Sequence, residues 1–205
     1  MLYSKELLIE LVKINMEEGF TDKGVEILEG TYLDSYIESK LPEVMAQVYM
    51  TSPAILLPQV DASATLKPVK HQNGSGEITL PKDMLRFTRL KMKGWDKAVT
   101  KIQDSSSATA MLQDNPYTMA GRAKPVVVMT NGSNGDKILR YYSLPPEVRL
   151  HEIEEALYVK VPDLSTPVEI SEYLLPSITY HTASAVFEIL GESQRAALMR
   201  VRLVE

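Results

Sequence analysis

The sequence predicts an α+β fold in which N- and C-terminal helices form a helical frame with an inserted β-rich module of hairpin or sandwich type. Three observations predict it. Apolar residues recur at helical spacing near both ends of the chain but not in its middle. Turn dipeptides cut the middle into short runs rich in β-branched and aromatic residues. Prolines gather where one pattern gives way to the other. The predicted boundaries are 1–53 for the N-terminal helical part, 54–162 for the inserted module and 163–205 for the C-terminal helical part, which shares one frame with 1–53.

Ser4 can cap a first helix whose apolar positions are Leu7, Leu8, Leu11, Val12 and Met16, and Gly19 is its natural stop. A second helical stretch runs from about Thr31 to Met50 with the stripe Leu33, Ile37, Leu41, Val44, Met45 and Val48. Pro42 falls inside it. Proline lacks an amide hydrogen and clashes with the preceding turn, so a kink or two short helices is expected, and Pro53 and Pro58 end helical character.

Three glycine-containing turns punctuate the middle: Asn73-Gly74-Ser75-Gly76, Gly94, and Asn131-Gly132-Ser133-Asn134-Gly135-Asp136. Glycine and asparagine supply the positive-φ residues of tight hairpins, and at least two of these turns read as such. In LRFTRLKM, alternation puts Leu85, Phe87 and Arg89 on one side and Arg86, Thr88 and Leu90 on the other, an imperfect pattern. Residues 104–117 read as a short serine-capped helix closed by Pro116, and EEALYVKVP returns to strand character. Pro176 opens a helix that runs to Leu190, with Gly191 as its break. The tail after it is helical at first and alternating at its end (Met199, Val201, Leu203), so it either packs at home or docks on another chain.

The 205 residues are 44% apolar and 24% charged, ordinary for a globular chain, and the formal charge is −5. That balance argues against indiscriminate coating of nucleic acid. Cysteine is absent, which excludes disulfides, thiol nucleophiles and cysteine-ligated metals and fits a reducing compartment. The acidic start of the chain has neither the basic, unbroken apolar pattern of a signal peptide nor a membrane-length apolar run, so a soluble, unexported protein is expected. Charge is uneven along the chain. Residues 1–62 hold 4 basic and 11 acidic side chains, residues 63–150 hold 14 and 7, and residues 151–205 hold 4 and 9. Such sections either cancel within the molecule and in solvent, or guide subunits or DNA into place.

Catalytic patterns are missing. His151-Glu152-Ile153-Glu154-Glu155 begins like a zinc-protease helix but has no second histidine four residues on. Gly74-Ser75-Gly76 lacks the lysine and hydroxyl of a phosphate loop, and no G-x-S-x-G elbow occurs. The expectation is therefore a chain that is not an enzyme and needs no metal or other cofactor. The basic cluster Lys82, Arg86, Arg89, Lys91, Lys93, Lys97 and Lys101 surrounds Phe87 and Trp95, as a backbone-tracking groove does. On a hairpin, half of these side chains point away from any one face. The candidates for a subunit interface or a DNA channel are Arg86, Arg89, Lys91, Lys93, Trp95 and Lys97, with Arg195, Arg200 and Arg202 near the C-terminus. Trp95 reads as a packing or interface anchor.

Four phrases in order, YIESKLPEVMAQVYMTSPAILLP (36–58), ITLPKDMLRFTRLKMKGWDKAVTKI (78–102), RAKPVVVM (122–129) and YLLPSITYHTASAVFEILGE (173–192), resemble the head-to-tail connector (adaptor, or ring) proteins of tailed bacteriophages, of the short-tailed and crAss-like type. The similarity covers roughly residues 30–192. Its most characteristic piece is Leu80-Pro81-Lys82-Asp83-Met84-Leu85-Arg86 with Lys93-Gly94-Trp95. The resemblance implies a virion structural protein of the neck or tail region, assembled in the host cytoplasm. It implies a homo-oligomeric ring of about twelve copies below the portal protein, which extends the DNA channel, contacts packaged DNA non-specifically and carries other neck and tail proteins. The tail after Gly191 is shorter than the helix with which some connectors enter the portal. A tail-tube or tail-platform protein is the alternative within the virion, and a glycan-binding or peptidoglycan-acting domain the alternative outside it.

Overall fold

The computed structural model describes residues 1–18, 30–71, 74–115, 117–144 and 151–202. The chain is α+β and divides into two compact units, a helical unit of Met1–Pro58 with Val161–Glu205 and a β unit of Gln59–Lys160. The junctions fall at 58/59 and 160/161, against the 53/54 and 162/163 expected from the prolines. The expected stop at Gly19, the turn residue Asn73, the closing Pro116 and the end of the tail at Leu203 lie outside the described residues.

The helical unit is built from α1 (Lys5–Glu18), α2 (Gly30–Thr51), α4 (Leu175–Ile189) and α5 (Ser193–Val201). The Ser4 hydroxyl accepts from the Leu7 amide at 3.3 Å and caps α1. Leu8, Val12 and Met16, one helical face, are buried. Val12 and Met16 meet Ile37 of α2, Ala183, Val186 and Phe187 of α4, and Ala196 and Met199 of α5 in one core. α4 takes Pro176 in its first turn, as read, and ends before Gly191 at φ 77°. Asn15 of α1 donates to the Thr179 hydroxyl at 2.8 Å, and Ser184 of α4 donates to the Ala196 carbonyl at 2.9 Å. A two-residue ribbon, β1 (Leu2–Tyr3) with β10 (Val168–Glu169), completes the unit.

Two expectations about these elements are corrected. Of the kink or two short helices expected at Pro42, the second is overturned: α2 runs as one helix through it. An interior proline costs about 3 kcal/mol. Ile37, Leu41, Val44, Met45 and Val48 are buried on both sides of it, and each such side chain returns about 1.5–3 kcal/mol. The tail does not alternate at Met199 and Val201. It is helical as α5, because Ala196 and Met199 find their burial against α4.

The β unit is a pair of sheets. β2 (Val60–Asp61), β9 (Ile153–Lys160) and β5 (Met84–Met92) form one, antiparallel, in that order. β3 (Pro68–Lys70), β4 (Gly76–Thr79), β8 (Lys137–Tyr141), β7 (Val127–Asn131) and β6 (Gln103–Asp104) form the other, with only β6 running parallel to its neighbour. Phe87, Leu90, Met92, Ala156 and Tyr158 of the first sheet share a core with Ile78, Val127, Leu139 and Tyr141 of the second, a sandwich. The β3–β4 and β7–β8 pairs are the hairpins read from their glycines, with Gly74 and Gly135 both at φ 79°. Gly94, at φ 97°, turns the chain back for a single bridge between Leu90 and Val99. The imperfect alternation read in β5 has a structural cause: Phe87 and Leu90 are both buried. Register shifts between Phe87 and Arg89, and at two further points, put an odd-numbered and an even-numbered side chain into the same core.

Between β6 and β7, α3 (Ala108–Met111) is capped by Ser107, whose hydroxyl accepts from the Ala110 amide at 3.2 Å, and continues as a short 3-10 turn over Leu112–Asp114. Gln113 is buried beneath this connection.

Candidate assembly surfaces

Most of the basic residues singled out in β5 are already matched. Arg89 meets Glu155 at 2.8 Å, Lys91 meets Glu154 at 2.6 Å and Lys93 meets Glu152 at 2.7 Å. At the far end of the pair, Lys160 of β9 meets Asp83 at 3.2 Å. Antiparallel pairing explains this, since it brings Lys91 and Lys93 opposite carboxylates 63 and 59 residues away. The hydrogen bond that Lys93 donates to Glu152, then the charge of Glu152, raises the Lys93 pKa. Asp83 does the same for Lys160 by its hydrogen bond first. Exposed pairs of this kind contribute about 0–1 kcal/mol each. Arg86 is half-buried and held by an interaction of its own.

Trp95 is not a surface residue. It is 4% exposed, sits in the sandwich core and meets the Tyr141 ring edge-on at 6.3 Å between centroids. The packing reading holds for it and the interface and channel readings do not. Lys97 differs from its neighbours: it is exposed and forms no ion pair among the described residues. Near the C-terminus, Arg195 lies 3.6 Å from Glu192, Arg200 pairs with Glu188, and Arg202 is exposed with an interaction of its own.

Behind Trp95, the Tyr141 hydroxyl and His151 Nδ1 are 2.6 Å apart and both buried. The backbone there is tight: a Cβ on Gly76 would stand 2.2 Å from the Tyr141 hydroxyl oxygen. Burial, then the charge of Lys70, lowers the His151 pKa below 6.5, so the ring is neutral at pH 7. Burial likewise raises Tyr141. The indole nitrogen of Trp95, the Ser143 hydroxyl and His151 Nε2 are buried there with no hydrogen-bond partner among the described residues. Ser143 has φ 86°, a left-handed conformation that costs a non-glycine residue energy.

Each unit also has an open concavity among its described residues. In the helical unit a groove of about 490 Å³ lies between α2 and α4, with Lys40, Glu43, His181, Glu188 and Arg200 on its walls. Lys40 pairs with Glu43 and Arg200 with Glu188, so its charges cancel. In the β unit a depression of about 500 Å³ is lined by His71, Glu77, Asp114, Arg140 and Tyr142. Glu77 takes a guanidinium hydrogen bond from Arg140 at 2.6 Å and lies 3.6 Å from His71. Among the described residues no group of three His, Asp or Glu is placed to hold a metal ion, and no helix is long and apolar enough to cross a membrane.

The two units carry opposite charge. The helical unit contains 7 basic and 16 acidic side chains, the β unit 15 and 11. Internal pairing sharpens the contrast. Lys5, Lys13 and Lys40 of the helical unit pair with Glu38, Asp34 and Glu43, leaving Glu10 and Glu17 exposed without an ion pair among the described residues. In the β unit Lys67, Lys82, Lys97, Lys101, Lys124 and Lys137 are exposed and form no ion pair among the described residues, against Asp61, Asp104 and Asp114 on the acidic side. The sequence located this basic surplus, with Lys82, Lys97 and Lys101 in it, but counted Lys91 and Lys93 as well, because the β9 carboxylates that pair with them are distant in the chain. No protein-family model matches the chain, and no curated protein matches it significantly.

Proposed function

We propose that the chain is a structural subunit of a phage virion, a head-to-tail connector that assembles as a ring below the portal protein, extends the DNA channel and carries tail proteins. The observation that carries this reading is the division into an acidic helical unit and a basic β-sandwich inserted in it. A closed ring of identical subunits needs a heterologous contact, in which one surface meets a different surface of the neighbour. Two units of opposite charge supply such a pair and steer it. The four connector-like phrases place their most characteristic piece, Leu80–Arg86 with Lys93–Trp95, in and around β5. There it builds the sandwich core through Met84, Phe87, Leu90, Met92 and Trp95. That piece therefore acts as scaffold, and the lysines beside it as contact.

The test is the native mass of the purified protein, alone and with a portal protein. A discrete large ring, or a ring formed only on the portal, is the expected result. A stable monomer that ignores the portal and hydrolyses a glycan, or that binds DNA sequence-selectively, overturns the reading.

A further inference from the structure

Among the described residues of its unit, the outer face of α1 is left exposed. Leu8, Val12 and Met16 face the core, and the opposite stripe is Leu7, Glu10, Ile14 and Glu17, within roughly 80° of arc at about 100° per residue. Leu7 is 42% and Ile14 46% exposed, and the two glutamates form no ion pair among the described residues. This is an apolar strip flanked by surplus negative charge.

The β unit presents the complementary composition on the connection between β6 and β7. Met111, Leu112 and Tyr117 stand out from it, Tyr117 at 97% exposure. The connection is braced. The buried Gln113 side chain donates to the Thr109 carbonyl at 2.8 Å and accepts from the Ala120 amide at 2.9 Å. The Thr118 hydroxyl donates to the Leu112 carbonyl at 2.7 Å, and Asn115 accepts from the Tyr117 amide at 2.9 Å. Three of the lysines without an ion pair, Lys97, Lys101 and Lys124, lie in or beside this connection, and they outnumber the exposed Asp104 and Asp114 on it. Lys101 leads into β6, Lys97 adjoins the Asp96 that Arg122 grips at 3.0 Å, and Lys124 closes a turn on the Gly121 carbonyl. Apolar side chains held outward on a fixed backbone lose little entropy on binding.

We infer that the β6–β7 connection of one copy docks on the outer stripe of α1 of a second copy, with Met111, Leu112 and Tyr117 against Leu7 and Ile14, and Lys97, Lys101 and Lys124 facing Glu10 and Glu17. The occupant is a second copy because both halves of the match are on this chain. Apolar meets apolar, and Lys97, Lys101 and Lys124, three of the lysines left over after internal pairing, meet glutamates of α1 left over in the same way. The two surfaces differ, so the contact is heterologous and repeats from copy to copy. It rests on the reading of the chain as a ring subunit and assigns that ring its lateral surfaces.

The experiment is carbodiimide crosslinking, at low ionic strength, of an equal mixture of 15N-labelled and unlabelled full-length protein, with sedimentation velocity alongside. Crosslinked peptides of mixed isotope joining Glu10 or Glu17 to Lys97, Lys101 or Lys124 are expected. The pairs Glu10→Lys with Glu17→Lys, and Lys97→Glu with Lys101→Glu, are each expected to weaken self-association about tenfold or more, and the variant combining all four to recover it. All four positions are exposed, so circular dichroism should show unchanged folding. Mixed-isotope links confined to other residues overturn these surfaces and leave the ring reading standing. A chain that gives no mixed-isotope link and sediments as a monomer at every concentration overturns both.

Discussion

A methyl group at position 76 would stand 2.2 Å from the Tyr141 hydroxyl oxygen and 2.6 Å from the Val69 carbonyl, so this glycine is dictated by close approach. Gly76→Ala should destabilise the β unit by about 1–3 kcal/mol, read by urea denaturation, because it displaces the ring that His151 holds. Trp95→Ala should cost about 3–5 kcal/mol by the same measurement, as removal of a buried indole does. A loss under about 1 kcal/mol would place Trp95 at the surface after all. His151 gives a pH dependence with a defined sign. Its folded pKa is depressed below 6.5, so the unfolded chain binds the extra proton more readily. Its contribution is fully present above about pH 6.5 and is lost as pH falls toward the folded value. His181, also lowered by burial and by Arg200, works in the same direction. His151→Gln should therefore flatten part of the fall in stability between about pH 7 and pH 5. Trp95 illustrates what the sequence could reveal at this scale: its packing role was legible from size and apolarity. Its burial beside Tyr141 and His151 was not, since those residues lie 46 and 56 positions further on.

At the scale of elements, Pro42 separates two forces that compete along α2. Local chemistry disfavours helix there, and burial of residues on either side overrides it. Pro42→Ala should raise thermal stability, by up to about 3 kcal/mol, because it restores an amide donor and removes the ring clash. No gain would mean that the helix is already bent to suit the ring. The helices were readable because their apolar periodicity depends only on neighbours three and four residues away. The β3–β4 and β7–β8 hairpins were readable from Gly74 and Gly135. β5 was only half readable. Its register shifts respond to β9, whose residues sit about 60 positions away in the chain. The two-residue strands β1, β2, β6 and β10 carry no periodic signal at all.

At the scale of the whole molecule, charge is sorted by unit. The sequence displayed a basic middle between acidic ends, and that much survives in the fold. Pairing across β5 and β9 takes Lys91 and Lys93 out of the lysines left to act outside the chain and leaves Lys97 and Lys101 among them, with Lys124 beyond the cluster read from the sequence. Alanine at Lys91 or Lys93 should therefore leave association nearly untouched, whereas charge reversal at Lys97 and Lys101 weakens it. Association through such patches should also weaken between low and physiological salt, as exposed charges are screened over about 8–10 Å. The most direct measurement of the central claim is the native mass of the full chain at low salt, alone and with a portal protein. The account predicts one discrete ring-sized species in at least one of the two mixtures, dispersed by Lys97→Glu with Lys101→Glu. A monomer in both would contradict it.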